Sequence, residues 1–221
     1  MKKQNGDVIQ MGQIRDYLCT YDSSADIIPQ LIGRLELPVP QVYQNSEYMV
    51  RLAKAVKAET GQPFCILPFC HTLEGEALGG FVNYGDAKFG PRAKAFLCKN
   101  LTEVLELSAI DVNTGRMSQT LHAAKMLCQE GEEVVFNLSG PFTILNVLMD
   151  SAQLFRSFRK EAEKLEAVFQ KLEQELLTVI RAAKDCGVTM FSYADSAGSV
   201  NLIGPKMAEQ VAEMFTYPFL K

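Results

Sequence analysis

The sequence predicts an α/β fold in which a parallel sheet is assembled from strand–helix units. Three short apolar runs, each bounded by proline, glycine or polar turn residues, read PFCILPFC (63–70), EEVVFNLSGPF (132–142) and VTMFSYAD (188–195). Helical patterns separate these runs, and strands that alternate with helices form parallel sheets. Because the runs are largely apolar throughout and do not alternate with polar residues, we expect strands that are buried on both faces.

Residues 1–60 are predicted to form a helical N-terminal segment, which precedes a strand-containing unit at 61–221. Within the segment, SEYMVRLAKAVKAETG places apolar side chains at helical spacing. Ser46 is its expected N-cap and Gly61 its expected stop. A loop with several glycines is predicted at 71–92, after the first apolar run.

Helices are predicted at 101–107 and 116–130, before the second apolar run. The longest helical pattern, 151–186, contains neither glycine nor proline and repeats apolar residues every three or four positions. As one helix it would be about 50 Å long at 1.5 Å per residue, so we expect two helices that meet near residue 160. A last helix is predicted at 205–215, with a proline in its first turn.

Composition and charge narrow the class of protein. Apolar residues make up 48% and charged residues 22% of the 221 positions, which is typical of a folded protein. The 22 Lys and Arg against 26 Asp and Glu give a net charge of −4. With no basic cluster, this balance argues against nucleic acid or an anionic membrane as partner.

No uncharged stretch is long enough to span a bilayer, and the N-terminus lacks the apolar core of a signal peptide. We therefore expect a cytoplasmic protein.

The six cysteines are spread along the chain without a CxxC pair, so we expect free thiols. Cys65, Cys70 and His71 lie close enough in sequence for metal ligation to be the alternative. Their spacing is not that of a zinc knuckle, and no fourth ligand is evident. We therefore expect no metal site in this chain.

Polar residues gather after each apolar run. In parallel α/β folds the carboxyl ends of the strands form the site. His71 and Glu74 follow the first run and are candidates for a catalytic acid–base pair. The alternative is that His71 is a loop residue and Glu74 starts a helix. Asp195 ends the third run and is either a catalytic or substrate contact or a cap for the following turn.

The remaining candidates are uncharged. Asn137, Ser139 and Thr143 surround the end of the second run, where they can present hydrogen-bond donors to a substrate. A tight Ser-Gly-Pro turn also needs such residues for structural reasons. Tyr193 and Ser196, at the end of the third run, complete the predicted substrate-binding set.

Three stretches of the chain resemble the uroporphyrinogen decarboxylase superfamily. They are LPFCHTLEGEALGG (67–80), FNLSGPFTILNVLMD (136–150) and the segment 191–221, which begins FSYADSAGSV. Together they cover roughly residues 60–221. The resemblance implies a TIM (β/α)8-type barrel, of which this chain contains the first half after its helical N-terminal segment.

The resemblance is greater to the corrinoid methyltransferase branch, which includes the methylcobalamin:coenzyme M methyltransferases. The decarboxylase branch carries an arginine-bearing loop that holds the acetate groups of its tetrapyrrole, whereas the equivalent stretch here, CHTLEGEALGG, has no arginine. The stretch Glu74–Gly79 instead has the character of the methyltransferase loop. The implied function is methyl transfer between a corrinoid and a thiol or similar acceptor.

This resemblance also implies cofactors and partners. Cobalamin or another corrinoid is expected, as substrate or on a partner protein, and a small molecule or a corrinoid protein is the expected partner. The methyltransferases bind zinc through a His-x-Cys pair and a later Cys in the second half, so zinc is expected only if a C-terminal half is supplied. Half a barrel leaves two unpaired strand edges, which predicts a homodimer or association with a C-terminal-half protein.

Two other functions stay open at this point. One is uroporphyrinogen decarboxylation, which the missing arginine loop disfavours because four carboxylates need cationic partners. The other is a non-catalytic module for corrinoid binding or assembly.

Overall fold

The computed structural model describes residues 24–86 and 88–221. Residues 1–23 of the predicted N-terminal segment lie outside this range. The strands are β1 (Cys65–Leu67), β2 (Phe81–Asn83), β3 (Arg92–Ala95), β4 (Val134–Ser139) and β5 (Met190–Ala194). The helices are α1 (Ser24–Arg34), α2 (Ser46–Thr60), α3 (Leu73–Ala77), α4 (Leu101–Leu105), α5 (Gly115–Gln129), α6 (Pro141–Leu148), α7 (Ser151–Lys160), α8 (Ala162–Asp185), α9 (Val200–Ile203), α10 (Pro205–Val211) and α11 (Tyr217–Phe219).

A parallel sheet of order β1–β4–β5 forms the centre of the described structure. Cys65 lies opposite Val134, and Val135 opposite Met190. Both pairings are parallel, so helices must connect the strands across the sheet. The predicted α/β class with a parallel sheet is confirmed. Each strand is shorter than the apolar run that predicted it.

The prediction of a loop over 71–92 was wrong. This stretch contains the short helix α3 and strand β2, which pairs with β3 in an antiparallel hairpin. The hairpin strands have only three and four residues, and most of their side chains are exposed. Neither strand therefore has the continuous apolar run or the regular alternation by which strands are recognised in a sequence.

Helix α2 begins as predicted at Ser46, but the N-cap is Asn45. The Oδ1 atom of Asn45 accepts hydrogen bonds from the backbone N–H groups of Glu47, at 3.0 Å, and Tyr48, at 3.2 Å. Ser46 is instead the buried first residue of the helix. Gly61 ends the helix with φ of 67°, a left-handed conformation that glycine adopts without a Cβ penalty.

The long helical pattern at 151–186 divides as predicted. Helix α7 ends at Lys160 and α8 begins at Ala162, and Glu161 between them has non-helical φ and ψ of −131° and 48°. The Ser157 hydroxyl donates a hydrogen bond to Glu161 Oε1 at 2.9 Å. The predicted final helix is shorter than expected, because α10 ends at Val211 and continues as a π-helical turn, Ala212–Thr216.

Two hydrophobic clusters stabilise the structure. The larger surrounds the parallel sheet and includes Phe136, Phe142 and Phe169. The smaller lies between α1 and α2, and Phe69 packs against both clusters. Because α2 contributes to both, it connects the N-terminal helices to the sheet. The division into units at residue 60 remains a prediction. Within the described range, no helix has the length and hydropathy to cross a bilayer.

Candidate functional site

The candidate site lies where β1, β4 and β5 end. Because the three strands are parallel, their carboxyl ends meet at one edge of the sheet. The turn between β4 and α6, which contains Ser139 and Gly140, lies in the middle of this edge. Two acidic side chains from other elements, Glu74 of α3 and Asp195 after β5, bind on either side of that turn.

The Glu74 residue is 1% exposed, and its side chain is hydrogen-bonded to the end of β4. Its Oε1 accepts a hydrogen bond from the Ser139 backbone N–H at 2.9 Å. Its buried Oε2 has no hydrogen-bond partner among the described residues. Burial is the main cause that raises the pKa of Glu74, and the hydrogen bonds at Ser139 oppose it only in part. This arrangement favours a neutral carboxyl group that retains its proton.

Asp195 has a different hydrogen-bond environment. Its Oδ2 accepts from the Phe142 N–H at 3.2 Å, and its Oδ1 accepts from the Thr143 N–H at 2.8 Å and the Thr143 hydroxyl at 2.7 Å. These amides belong to the first turn of α6, whose own N-cap residue, Gly140, has no side chain to offer. Asp195 therefore caps α6 across the sheet edge. Burial raises its pKa, and these donors lower it in part.

The close approach at Gly140 makes this cap possible. A Cβ atom at Gly140 would lie 2.3 Å from the Cβ of Asp195 and 2.7 Å from the Tyr193 hydroxyl oxygen. Both distances are far inside van der Waals contact. Glycine at this position therefore lets β5 bring Asp195 and Tyr193 against the turn.

Asn137 links all three parallel strands. Its amide nitrogen donates to the Pro68 carbonyl beyond β1 at 3.4 Å, and its Oδ1 accepts from the Ser192 hydroxyl on β5. The predicted substrate-binding residues Asn137, Ser139 and Thr143 thus all have partners within the protein. Their role toward a substrate remains a prediction.

Tyr193 lies on the β5 side of the edge. Its hydroxyl is 3.4 Å from the Thr216 hydroxyl, and its ring lies 5.7 Å from that of Phe219 between centroids. Burial raises the pKa of Tyr193 to about 12, so this phenol keeps its proton at neutral pH. Ser196, the next predicted binding residue, is exposed in the following loop.

His71 is exposed, and among the described residues no hydrogen bond joins it to Glu74. It acts on Glu74 through its charge, which slightly opposes the rise in the pKa of that carboxyl group. The predicted acid–base pair is therefore close in space without direct contact, and its catalytic role remains a prediction.

Sequence reasoning missed a second polar cluster beside this edge. Arg116 of α5 forms an ion pair with Glu76 at 2.5 Å and donates to the Thr72 hydroxyl at 2.8 Å and to Cys70 Sγ at 3.1 Å. The Tyr84 hydroxyl donates to Glu76 at 2.6 Å. A signal was present, because arginine in the first turn of a helix is disfavoured by the helix dipole unless it has an acidic partner.

The cysteines described are free thiols, as predicted. Within residues 24–86 and 88–221, no group of three His, Cys, Asp or Glu side chains is arranged to hold a metal ion.

Comparison with known proteins decides the family. The family model described as "Uroporphyrinogen decarboxylase (URO-D)" matches residues 11–218. The chain belongs to this family. The match includes β1, β4 and β5 together with the carboxylates at their ends, so the predicted family membership is confirmed.

The relatives lie in the methyltransferase branch of the uroporphyrinogen decarboxylase family. Methylcobamide:CoM methyltransferase MtbA of Methanosarcina acetivorans is 26% identical over 176 residues, which are 78% of this chain and 52% of that protein. Methylcobamide:CoM methyltransferase MtaA of Methanosarcina barkeri is 23% identical over 186 residues, 83% of this chain and 55% of that protein. The chain spans about half the length of these curated relatives.

The fold is similar to that of a solved structure, a methyltransferase from Methanosarcina mazei. The TM-score is 0.76 at 23% identity, over 87% of this chain and 57% of that chain. At this identity the likeness supports the fold. The predicted branch is confirmed by the two curated relatives.

Proposed function

We propose that the chain takes part in methyl transfer between a corrinoid and a thiol acceptor, with the ligand bound at the carboxyl edge of β1, β4 and β5. The methylcobamide:CoM methyltransferases among its relatives support the reaction class. The observation that carries the site assignment is Glu74, a buried carboxyl group with one oxygen lacking a partner among the described residues. A buried unsatisfied polar group is costly and marks a place where function opposes stability.

The chemistry requires a group that moves a proton. A bound methylcorrinoid would supply the methyl group, and the residues at this edge would hold the thiol that accepts it. The thiol proton must leave before or during this step. Glu74 is the proposed acceptor of this proton: its ionised carboxylate takes up the proton at Oε2, and burial, which raises the pKa of this group, favours the protonated form that results.

The other predicted residues have proposed positioning roles. Ser139 fixes Glu74 through its backbone N–H, and Thr143 fixes Asp195. Tyr193, Ser196 and His71 are the proposed contacts to the ligand, together with Asn137.

The decarboxylase alternative needs cations that are free to bind acetate groups. Arg116 lies beside the CHTLEGEALGG stretch, but its side chain is 3% exposed and is engaged by Glu76, Thr72 and Cys70. It is therefore not available to a substrate carboxylate. This arrangement favours the methyltransferase proposal over decarboxylation.

The chain is proposed to act as the first half of a TIM-type barrel. Strands β1 and β5 each have one side without a partner strand among the described residues, and such edges favour association. A second copy or a C-terminal-half protein is the proposed partner, with zinc contributed by the latter. A cytoplasmic location remains part of the proposal.

The test is methyl transfer from methylcobalamin to coenzyme M with the full chain, in the presence of Zn²⁺. Methyl-coenzyme M is quantified by mass spectrometry, and the oligomeric state of the same sample by light scattering. We expect turnover once a C-terminal-half protein that contributes the zinc site is added, and at least a tenfold loss in Glu74→Gln. Glu163→Gln, on the exposed surface of α8, is the matched control and should retain the wild-type rate.

Each other outcome has a distinct meaning. A change in the cobalamin spectrum without turnover would leave only the binding-module alternative. Formation of coproporphyrinogen from uroporphyrinogen would establish decarboxylation instead. Equal rates in Glu74→Gln and wild type would refute the proposed role of Glu74.

A further inference from the structure

Cys70 lies just beyond β1, and two hydrogen-bond donors point at its sulfur atom. Arg116 donates to Sγ at 3.1 Å and the Thr72 hydroxyl donates to Sγ at 3.4 Å. A guanidinium group and a hydroxyl group that both donate to sulfur stabilise negative charge on it. Because Cys70 is only partly buried, small reagents can reach it.

Arg116 also has an unused donor at this position. Its side chain is 3% exposed, yet its buried Nε has no hydrogen-bond partner in the described structure. Its terminal nitrogens are already engaged by Glu76, Thr72 and Cys70. An unpaired buried donor costs free energy, so an acceptor placed beside it would be stabilised.

A small cavity lies next to these groups. Cys70, Arg116 and Tyr43 line it, together with Pro68 and Thr120, and its volume is about 10 Å³. That is close to the space of one water molecule or one oxygen atom. Cys70 and Arg116 therefore share a cavity that has room for a single added oxygen.

We propose that Cys70 is an oxidation site for hydroperoxides and that the oxygen of its sulfenic acid occupies this cavity, where Arg116 Nε donates to it. The thiolate sulfur attacks one peroxide oxygen, a sulfur–oxygen bond forms and the oxygen–oxygen bond breaks. Sulfur is oxidised by two electrons, and the oxygen that leaves takes up a proton, to give water from hydrogen peroxide or an alcohol from an organic hydroperoxide. This site is independent of the proposed methyl transfer.

The other described cysteines lack this combination. Cys65 and Cys98 are buried among apolar residues. Cys128 and Cys186 are partly buried like Cys70, but burial raises the pKa of each thiol. A hydrogen bond from a guanidinium group reaches only Cys70 among the thiols in the described part of the chain. These four cysteines therefore serve as internal references.

The experiment treats the full chain with hydrogen peroxide at pH 7 and traps sulfenic acid with dimedone. Mass spectrometry with fragment-ion assignment gives the labelling rate of each cysteine in one sample. We expect Cys70 to be labelled at least ten times faster than Cys128 and Cys186. Equal rates at these three thiols in the wild-type protein would overturn the proposal without any variant.

Two variants test the donors. Arg116→Gln should slow labelling of Cys70 at least tenfold, and Thr72→Ala should slow it about threefold, with Cys128 and Cys186 unchanged. Arg159→Gln, a substitution on α7, is the control and should change none of these rates. Cys65 and Cys98 report on folding, because they become labelled only if a variant unfolds. An Arg116→Gln protein that stays folded and labels at the wild-type rate would refute the role of the guanidinium group.

Discussion

Glu74 and Asp195 are two buried carboxyl groups on either side of one turn, and they differ in how many donors reach them. Asp195 accepts two backbone N–H groups and a hydroxyl, and both of its oxygens have partners. Glu74 accepts the Ser139 N–H through Oε1, and its Oε2 has none in the described structure. Burial raises the pKa of both. Asp195 therefore stabilises the start of α6, whereas proton transfer by Glu74 is a proposal.

The largest loss of stability is expected from Asp195→Ala. The substitution leaves the Phe142 and Thr143 N–H groups at the start of α6 without acceptors, so we expect a loss of about 3 kcal/mol of unfolding free energy. Urea denaturation followed by circular dichroism measures it. Asp150→Ala is the matched control, because Asp150 caps its own helix α7 at a partly exposed position. It should cost about 1 kcal/mol, and equal losses would mean that the cap across the sheet edge adds nothing.

A smaller loss of stability is expected from Gly140→Ala, which tests the same cap by changing the turn that Asp195 contacts. The added Cβ would force Asp195 and Tyr193 away from the turn, at a cost of about 2 kcal/mol. Gly33→Ala, inside α1 with no atom within 4 Å of the new Cβ, should instead stabilise by about 0.5–1 kcal/mol. Thermal melts should show a lower melting temperature than wild type for Gly140→Ala and a higher one for Gly33→Ala. A stabilised Gly140→Ala protein would contradict the close approach.

The smallest effect, on the order of 1 kcal/mol, is expected from Glu74→Gln and depends on pH. The folded protein binds the Glu74 proton more tightly than the unfolded chain does, because burial raises the pKa in the folded state. The free energy of unfolding is therefore highest below the ordinary glutamate pKa of about 4.3 and falls as the pH rises toward the raised value. Glutamine does not titrate, so Glu74→Gln removes the part of this pH-dependent loss of stability that is due to Glu74.

Urea denaturation between pH 4 and pH 8 measures the difference, which should grow in favour of Glu74→Gln as the pH rises. Glu163→Gln, at an exposed position on α8, should follow the wild-type curve throughout. If wild type and Glu74→Gln have parallel stability curves, the carboxyl group is not perturbed and the contrast with Asp195 fails.

The parts of the fold that follow local rules could be predicted from the sequence. The three parallel strands are short apolar runs, and the break between α7 and α8 follows from a helical pattern too long for one globular helix. The hairpin of β2 and β3 could not be predicted, because its strands are short and mostly exposed. The half-barrel remains a proposal, supported by relatives of which the chain matches about half.

The location of the candidate residues in the fold could be predicted better than their contacts. The rule that parallel strands carry their sites at the carboxyl ends located Glu74 and Asp195 correctly at one edge. The pairing of Asp195 with Thr143 joins residues 52 positions apart and depends on the register of β4 against β5. Arg116 was not predicted, because it belongs to α5 and reaches Cys70 and Thr72, in the loop after β1, only through the tertiary fold.

The cap that Asp195 provides has a consequence during synthesis of the chain. The first turn of α6 finds its acceptors on a residue that follows Thr143 by 52 positions. At translation rates of about 5–20 residues per second, the amides of that turn wait roughly 3–10 s for Asp195 to be made. The residues of α6 are therefore synthesised before Asp195, which caps the helix. The helix forms its final hydrogen bonds only when β5 has emerged from the ribosome and joined the sheet.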